Sequence, residues 1–337
     1  MDNLTHSLAG AILGQMGLKK KTGLAMPTLI IAANLPDIDA VAVLMGGQGH
    51  LAMRRGITHG PIALMILPII LWAVMVWFDR WQQRRGKRPA GRLPVHKGWL
   101  LLLAFIGTLS HPALDWLNTY GIRFLEPFTD KWFYGDTLFI IDIWVWAALI
   151  AGMWISLRRE KRGQGNWQRP AWISFTAICA YIFANGAITG HAETLMHDRL
   201  DHRAPVANSA DTDLAPIVVA QPVPVKFWQR EMLWRHGAVY GTGWFSLGSG
   251  LSAPSQTSIH RASPEAIARY SAMDENARAF LFWSRMPIIA REGGEVVIRD
   301  QRFLDPRVGD RFGVRLKAAG QDKDEDVPSD RLKPAAQ

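Results

Sequence analysis

A single cysteine in 337 residues, Cys179, leaves this chain no intramolecular disulfide and no Cys-based zinc motif. Any metal ion would have to be held by histidine and carboxylates. The sequence also lacks a Gly-rich phosphate loop, a dinucleotide fingerprint and a serine nucleophile elbow, which argues against nucleotide-dependent and serine-hydrolase chemistry. Near the start, Asp2 stands where a secretory signal would carry positive charge, so no cleaved signal is expected.

What the chain has is apolar sequence, unevenly distributed. Up to residue 190 it holds long runs rich in Leu, Ile, Ala, Trp and Met, and the remainder is ordinary and polar. Five runs can cross a bilayer core, which needs about 20 helical residues: 24–45, 60–79, 99–118, 137–157 and 171–190. Residues 4–18 form a sixth apolar helix, too short to span comfortably, read as a half-span or re-entrant helix. The expected fold is an α-helical multi-pass membrane domain (1–190), then a small β-rich α+β soluble domain (191–317), then a disordered tail (318–337). In the second domain, short alternating runs and Gly-rich turns from 217 to 316 suggest strands, interrupted by a helix near 264–283.

A net charge of +9 could suggest nucleic acid as a partner, but the cations sit in short clusters between apolar runs. Lys19, Lys20 and Lys21 form one cluster. Arg80, Arg84, Arg85, Lys87, Arg88, Arg92 and Lys97 form the second, and Arg158, Arg159, Lys161, Arg162 and Arg169 the third. With one crossing per span, all three fall on one side, which the positive-inside rule makes cytoplasmic. No nucleic acid is expected as a partner. The same alternation puts residues after 190 outside, in the periplasm of a Gram-negative cell.

Against this apolar background the charged residues inside spans stand out, since each costs a few kcal/mol on insertion scales. His6 lies in the first helix, Asp37 and Asp39 in the second, His111 and Asp115 in the fourth, and Asp142 in the fifth. Measured from the cytoplasmic ends, His6, Asp37 and His111 all come to about 20 Å, and Asp142 to about 24 Å. His59 and Asp136 lie higher, at the outer mouths of their helices. His111 and Asp115 are four apart and share a helix face. Pro36 permits a break beside Asp37 and Asp39, and His59 sits just before a helix start marked by Pro61.

Imidazole and carboxylate suit a hard or borderline metal, zinc above all, with manganese as the other candidate. Each residue also has an ordinary structural role open to it. His6 and Asp37 could be helix caps, His111 and Asp115 a hydrogen-bonded pair, Asp136 a cap for a helix at 137, and Asp142 an arginine partner. Those roles do not explain why separate segments place polar groups at one depth. His197 and Asp201 repeat the HxxxD spacing in 191–202, but an amphipathic helix there is expected to lie solvated at the membrane interface.

The segments THSLAG (5–10), NLPDIDA (34–40), RRGITHG (54–60), HPALDWLNTYG (111–121) and WFYGDTLFIIDIW (132–144) resemble the YdjM-type family of membrane-bound metal-dependent hydrolases. PVPVKFWQREML (222–233) and VVIRDQRF (296–303) look like the C-terminal extension of some members. The resemblance implies metal-dependent hydrolysis, with His6, Asp37, Asp39, His59, His111 and Asp115 at the matching motif positions. The HxxxD spacing is also similar to that of zinc phospholipase C and P1-type nucleases. The chain departs from the family pattern at Ile143, where proline is expected, which leaves the role of Asp142 open.

The expected activity is hydrolysis of an ester or phosphoester in a lipid-derived or envelope substrate at the outer side of the inner membrane. Two or more metal ions would acidify water, with Asp37 or Asp39 bridging them or acting as base. An ion-coupled transporter or a non-catalytic metal-binding membrane protein is the alternative.

Overall fold

The computed structural model describes residues 1–201, 216–236, 239–253, 255–257, 264–292, 294–304 and 312–317. The tail expected to be disordered, 318–337, lies outside them. Two compact units emerge: Met1–Asp39, Arg55–Ala187 and Pro224–Lys226 in the first, and Ala40–Arg54, Ile188–Val223 and Phe227–Gln337 in the second.

The first unit is helical. The Asp2 carboxylate accepts from Leu4 N (3.0 Å) and Thr5 N (3.1 Å), capping helix α1 (Asn3–Gln15). Helix α2 (Ala25–Ala32) follows, and the chain then tightens into a 3-10 stretch, Leu35–Met45, whose part from Ala40 on belongs, with the short α3 (Gly49–Met53), to the second unit. Pro61 opens α4 (Pro61–Arg84) from its first turn, where a missing N–H costs nothing. Helix α5 (Lys97–Trp116) returns, and α6 (Ile143–Lys161) and α7 (Arg169–Asp201) complete the helices of the N-terminal half.

Two glycines set where α2 lies. A Cβ on Gly10 of α1 would sit 2.6 Å from Leu29 O, and one on Gly107 of α5 would sit 2.5 Å from the Ala32 methyl. Close backbone approach through small residues is how helices associate where lipid offers no hydrophobic drive. Leu29, Ala32 and Ala33 are in consequence fully buried. Leu71 and Met75 of α4 pack with Leu100 and Ala104 of α5. Ile12, Val145, Leu149, Ala171 and Ile178 join α1, α6 and α7.

Among the described residues three helices, Pro61–Arg84, Lys97–Trp116 and Arg169–Asp201, are long and apolar enough to cross a membrane, and α2 with Leu35–Leu44 adds a fourth candidate if the pair, bent by 46°, is one span. Five spans were expected. The difference lies at 137–157, where the helix begins only at Ile143 because the Asp142 carboxylate accepts from Trp144 N (3.0 Å) and Val145 N (3.1 Å). That leaves Ile143–Leu157 ahead of Arg158, about 22 Å of helix against a core of about 30 Å.

The second unit is rich in antiparallel sheet. Strands β1 (Ile217–Pro222), β2 (Gln229–His236), β3 (Val239–Ser246) and β4 (Gly250–Leu251) pair in sequence order, and β5 (Ser255–Thr257) also pairs with β3. A helical pair, α8 (Pro264–Met273) and α9 (Glu275–Trp283), covers the region where one helix was expected, divided by the Asp274 cap. Strands β6 (Pro287–Glu292), β7 (Glu295–Asp300) and β8 (Gly313–Lys317) make a second sheet in that order.

The end of α7 belongs to this unit. Ile188, Ala192, Met196 and Leu200 repeat every fourth residue and pack on Val218, Ala220, Met232, Trp234 and Phe245. The amphipathic stretch at 191–202 thus buries its apolar face on a sheet, which is a sufficient reason for its pattern.

Candidate metal centre

Helix α5 supplies His111 and Asp115, four residues apart and both fully buried. His111 Nδ1 lies 2.7 Å from Ala33 O. A carbonyl can only accept, so Nδ1 carries the proton and Nε2 presents a lone pair. The α2 packing on Gly107, one turn before His111, brings Ala33 to that position. It brings Asp37 as well: Asp37 Oδ1 is 3.7 Å from His111 Nε2, and Asp115 Oδ2 is 3.5 Å from the same nitrogen.

His59 arrives from the turn Ile57–His59 ahead of α4. Its Nδ1 is 2.9 Å from Thr58 Oγ1, and that hydroxyl donates to Asp39 Oδ2 at 2.9 Å. With the hydroxyl proton committed to Asp39, Thr58 Oγ1 accepts from His59 Nδ1–H, and Nε2 is again the free nitrogen. His59 Nε2 stands 3.6 Å from Asp115 Oδ2.

Asp37, His59, His111 and Asp115 therefore gather four ligand atoms within 4.8 Å of one another, all buried. The Nε2 atoms of His59 and His111 have no hydrogen-bond partner among the described residues, a costly arrangement for buried polar atoms unless something else engages them. Bonds of about 2.0–2.2 Å to a tetrahedral ion put neighbouring ligand atoms about 3.3–3.6 Å apart. The three separations of 3.5–3.7 Å match that spacing and are too long for hydrogen bonds. The donor set fits a divalent metal ion.

The other expected residues surround this group. His6 is fully buried, stacked on His111 with ring centroids 3.8 Å apart, and its Nε2 is 3.2 Å from Asp115 Oδ1. The Met1 amine also meets Asp115 Oδ1. Asp39 Oδ2 accepts from Arg55 N (2.8 Å) and Thr58, one step behind His59. Asp142 caps α6 and accepts from Tyr181 OH at 3.1 Å. Asp136 is buried in a left-handed backbone conformation, φ 44°. Neither Asp136 nor Asp142 joins the group of four, and among the described residues His197 and Asp201 join no such group.

Sequence reasoning overlooked Arg55 and Asn118. Arg55 is buried, with Nε 2.9 Å from Asp115 Oδ2 and Nη2 3.1 Å from Oδ1. Its Nη1 donates to Asn118 Oδ1 (2.9 Å) and Gly121 O (3.2 Å), and the guanidinium lies over the Tyr120 ring. A signal was present: Arg54 and Arg55 are cations in a loop assigned to the side that positive charge avoids, inside the RRGITHG segment.

A bundle of apolar helices around a buried Asp/His/His/Asp group defines a membrane protein with a candidate metal centre. Residues 1–192 match the family described as YdjM inner membrane protein, and the chain belongs to that family. No curated protein and no solved structure matches it.

Proposed function

We propose that this chain is a membrane-bound metal-dependent hydrolase of the inner membrane. It acts on an ester or phosphoester of a lipid-derived or envelope substrate, with Zn²⁺ the favoured ion and Mn²⁺ the other. The observation that carries the reading is the meeting, inside apolar helices, of two unpartnered imidazole nitrogens with two carboxylates at metal-ligand spacing. His59, His111 and Asp115 are the ligands. Asp37, which alone of the four keeps some exposure (8%), is the base that takes the proton of the attacking water. Asp39 keeps His59 turned inward through Thr58, and His6 buttresses His111 and Asp115. Bound there, a divalent ion supplies Lewis-acid polarisation of the scissile group and acidifies water.

The cation clusters at 19–21, 80–97 and 158–169 support a multi-pass topology with those loops cytoplasmic, the site in the outer half of the bilayer and the C-terminal unit periplasmic, in which α6 completes a crossing together with the apolar segment 137–141 ahead of its cap. Membrane lipids are the natural surroundings and the nearest source of substrate. One observation favours a second, non-catalytic reading: four protein ligands and near-complete burial are the marks of a closed structural site.

The test is metal content of the detergent-purified protein by mass spectrometry, wild type against His111→Ala/Asp115→Ala, followed by ester and phosphoester hydrolysis. Bound metal and hydrolysis lost together in the double variant support the hydrolase. Bound metal without turnover on any ester or phosphoester, and with Asp37→Asn weakening the hold on the ion, supports the structural site. A folded wild type that takes up no metal overturns both.

A further inference from the structure

Asp115 meets charged or titratable groups on both of its oxygens. Oδ2 faces the two histidine nitrogens and Arg55 Nε, while Oδ1 is surrounded by Arg55 Nη2, His6 Nε2 and the Met1 amine. Of the other two nearby carboxylates, Asp39 gives Oδ2 to Arg55 N and Thr58 Oγ1, and Asp37 turns Oδ1 toward His111 Nε2, on the same ion position that Asp115 Oδ2 faces. A dinuclear centre needs a carboxylate shared between ions about 3.5–4 Å apart. Here the position beside both oxygens of Asp115 is taken by a guanidinium that is itself tied to Asn118 Oδ1, Gly121 O and the Tyr120 ring face.

Resting on the metal-site reading above, we propose that the centre takes one divalent ion per chain, and that Arg55 is its positioning residue, standing where a second metal would stand and fixing Asp115 by a two-pronged grip on both oxygens. The argument is one of geometry and charge. Only one lone pair of Oδ2 is left to point between His59 and His111, and a second cation near Oδ1 would be repelled by the guanidinium in a low-dielectric site. Lysine cannot replace this function, because a single ammonium offers no planar fork for both carboxylate oxygens. Arg55 adopts a left-handed backbone conformation, φ 54°, in which L side chains are rarely found, and its N–H reaches Asp39 from it. One residue thereby links the carboxylate behind His59 to the carboxylate in the centre.

The test uses the full-length detergent-purified chain, stripped with chelator and titrated with Co²⁺ alone, read by d–d absorption and by elemental analysis. Wild type should saturate at one equivalent with a tetrahedral spectrum, and no second ion should follow. Arg55→Lys should still bind one ion, with affinity lower by about 10–100-fold, the usual cost of losing a group that orients a ligand, and with an altered d–d envelope as Asp115 turns. Its metal-free melting temperature shows whether it folds; if it does not, Arg55→Gln and the wild-type stoichiometry carry the test. Two equivalents bound by wild type, or wild-type affinity and spectrum in a folded Arg55 variant, overturn the inference while leaving the hydrolase intact. Failure of wild type to bind any Co²⁺ or Zn²⁺ instead removes the metal-site reading itself.

Discussion

Gly107→Ala changes no ligand, yet should loosen the centre. The new Cβ would lie 2.5 Å from the Ala32 methyl and 3.0 Å from Leu29 O, whereas carbon atoms in contact settle at about 3.5–4.0 Å. Helix α2 must therefore retreat by about 1 Å, and Ala33 and Asp37 go with it. The bond from His111 Nδ1 to Ala33 O, now 2.7 Å, would stretch to about 3.7 Å, beyond hydrogen-bond range. Overpacking of this kind costs about 1–3 kcal/mol, and a ligand histidine deprived of its orienting acceptor costs about 10–100-fold in metal affinity. The assay is thermal unfolding with and without Zn²⁺, plus titration against a fluorescent chelator. Gly98→Ala in the same helix is the control, because its Cβ would meet only the His96 ring, Cε1 at 3.5 Å and Nδ1 at 3.7 Å, both ordinary contacts. If Gly107→Ala binds metal as wild type does, α2 packing does not position the centre and the reasoning fails.

Thr58→Val keeps the shape but removes the hydroxyl between His59 and Asp39; zinc affinity by chelator competition should fall about 10-fold, and an unchanged value would show that His59 needs no orienting partner. Asp142→Ala should lower helix stability by about 1 kcal/mol through loss of the cap while metal content by mass spectrometry stays at the wild-type level; loss of the ion would place Asp142 in the centre after all. In the C-terminal unit, burial alone would raise the Asp300 carboxyl, but Arg302, reinforced by Ser284, holds it below the usual aspartate range. A depressed folded-state pKa stabilises fully above the unfolded value of about 3.9 and is lost as pH falls through the folded one. Protease resistance of this unit should therefore drop on acidification below about pH 4, and Asp300→Asn should be weaker at neutral pH with a flattened acid limb; an equally steep limb in the variant would rule Asp300 out as its origin.

The parts of this molecule that sequence made legible are those encoded by local pattern. His111 and Asp115 share a face because four residues make one helical turn, and Pro36 marks the break between α2 and the 3-10 stretch. Helical character near 264–283, expected as one helix and found as two, and strands from 217 were visible from pattern and turn residues. The parts that stayed hidden depend on encounters between distant segments. Nothing near Arg55 says that its guanidinium will meet Asp115, 60 residues on, and the depth argument put His6 level with Asp37 and His111 without showing that its ring would stack on His111. The start of α6 was misplaced for a local reason: hydropathy counts 137–142 as apolar, whereas the Asp142 cap fixes where the helix begins.

The surroundings of Asp37 bear on what substrate a hydrolase here would accept. Of the four clustered residues, His59, His111 and Asp115 are sealed, so an incoming group must approach by way of Asp37. Next to Asp37, Ile38 is exposed (50%). An exposed apolar side chain beside a polar group favours an amphiphile whose headgroup reaches the carboxylate while its chain lies against Ile38. For monomeric phosphoesters of one headgroup, kcat/KM should then rise with acyl length, by up to about 4-fold per methylene, the equivalent of about 0.8 kcal/mol for each CH₂ buried. Ile38→Ser should flatten that slope and leave the shortest substrate unaffected, since Ile38 lies outside the metal-ligand group. A rate independent of chain length would mean that the chemistry is fed from water, and the lipid-derived substrate would have to be given up.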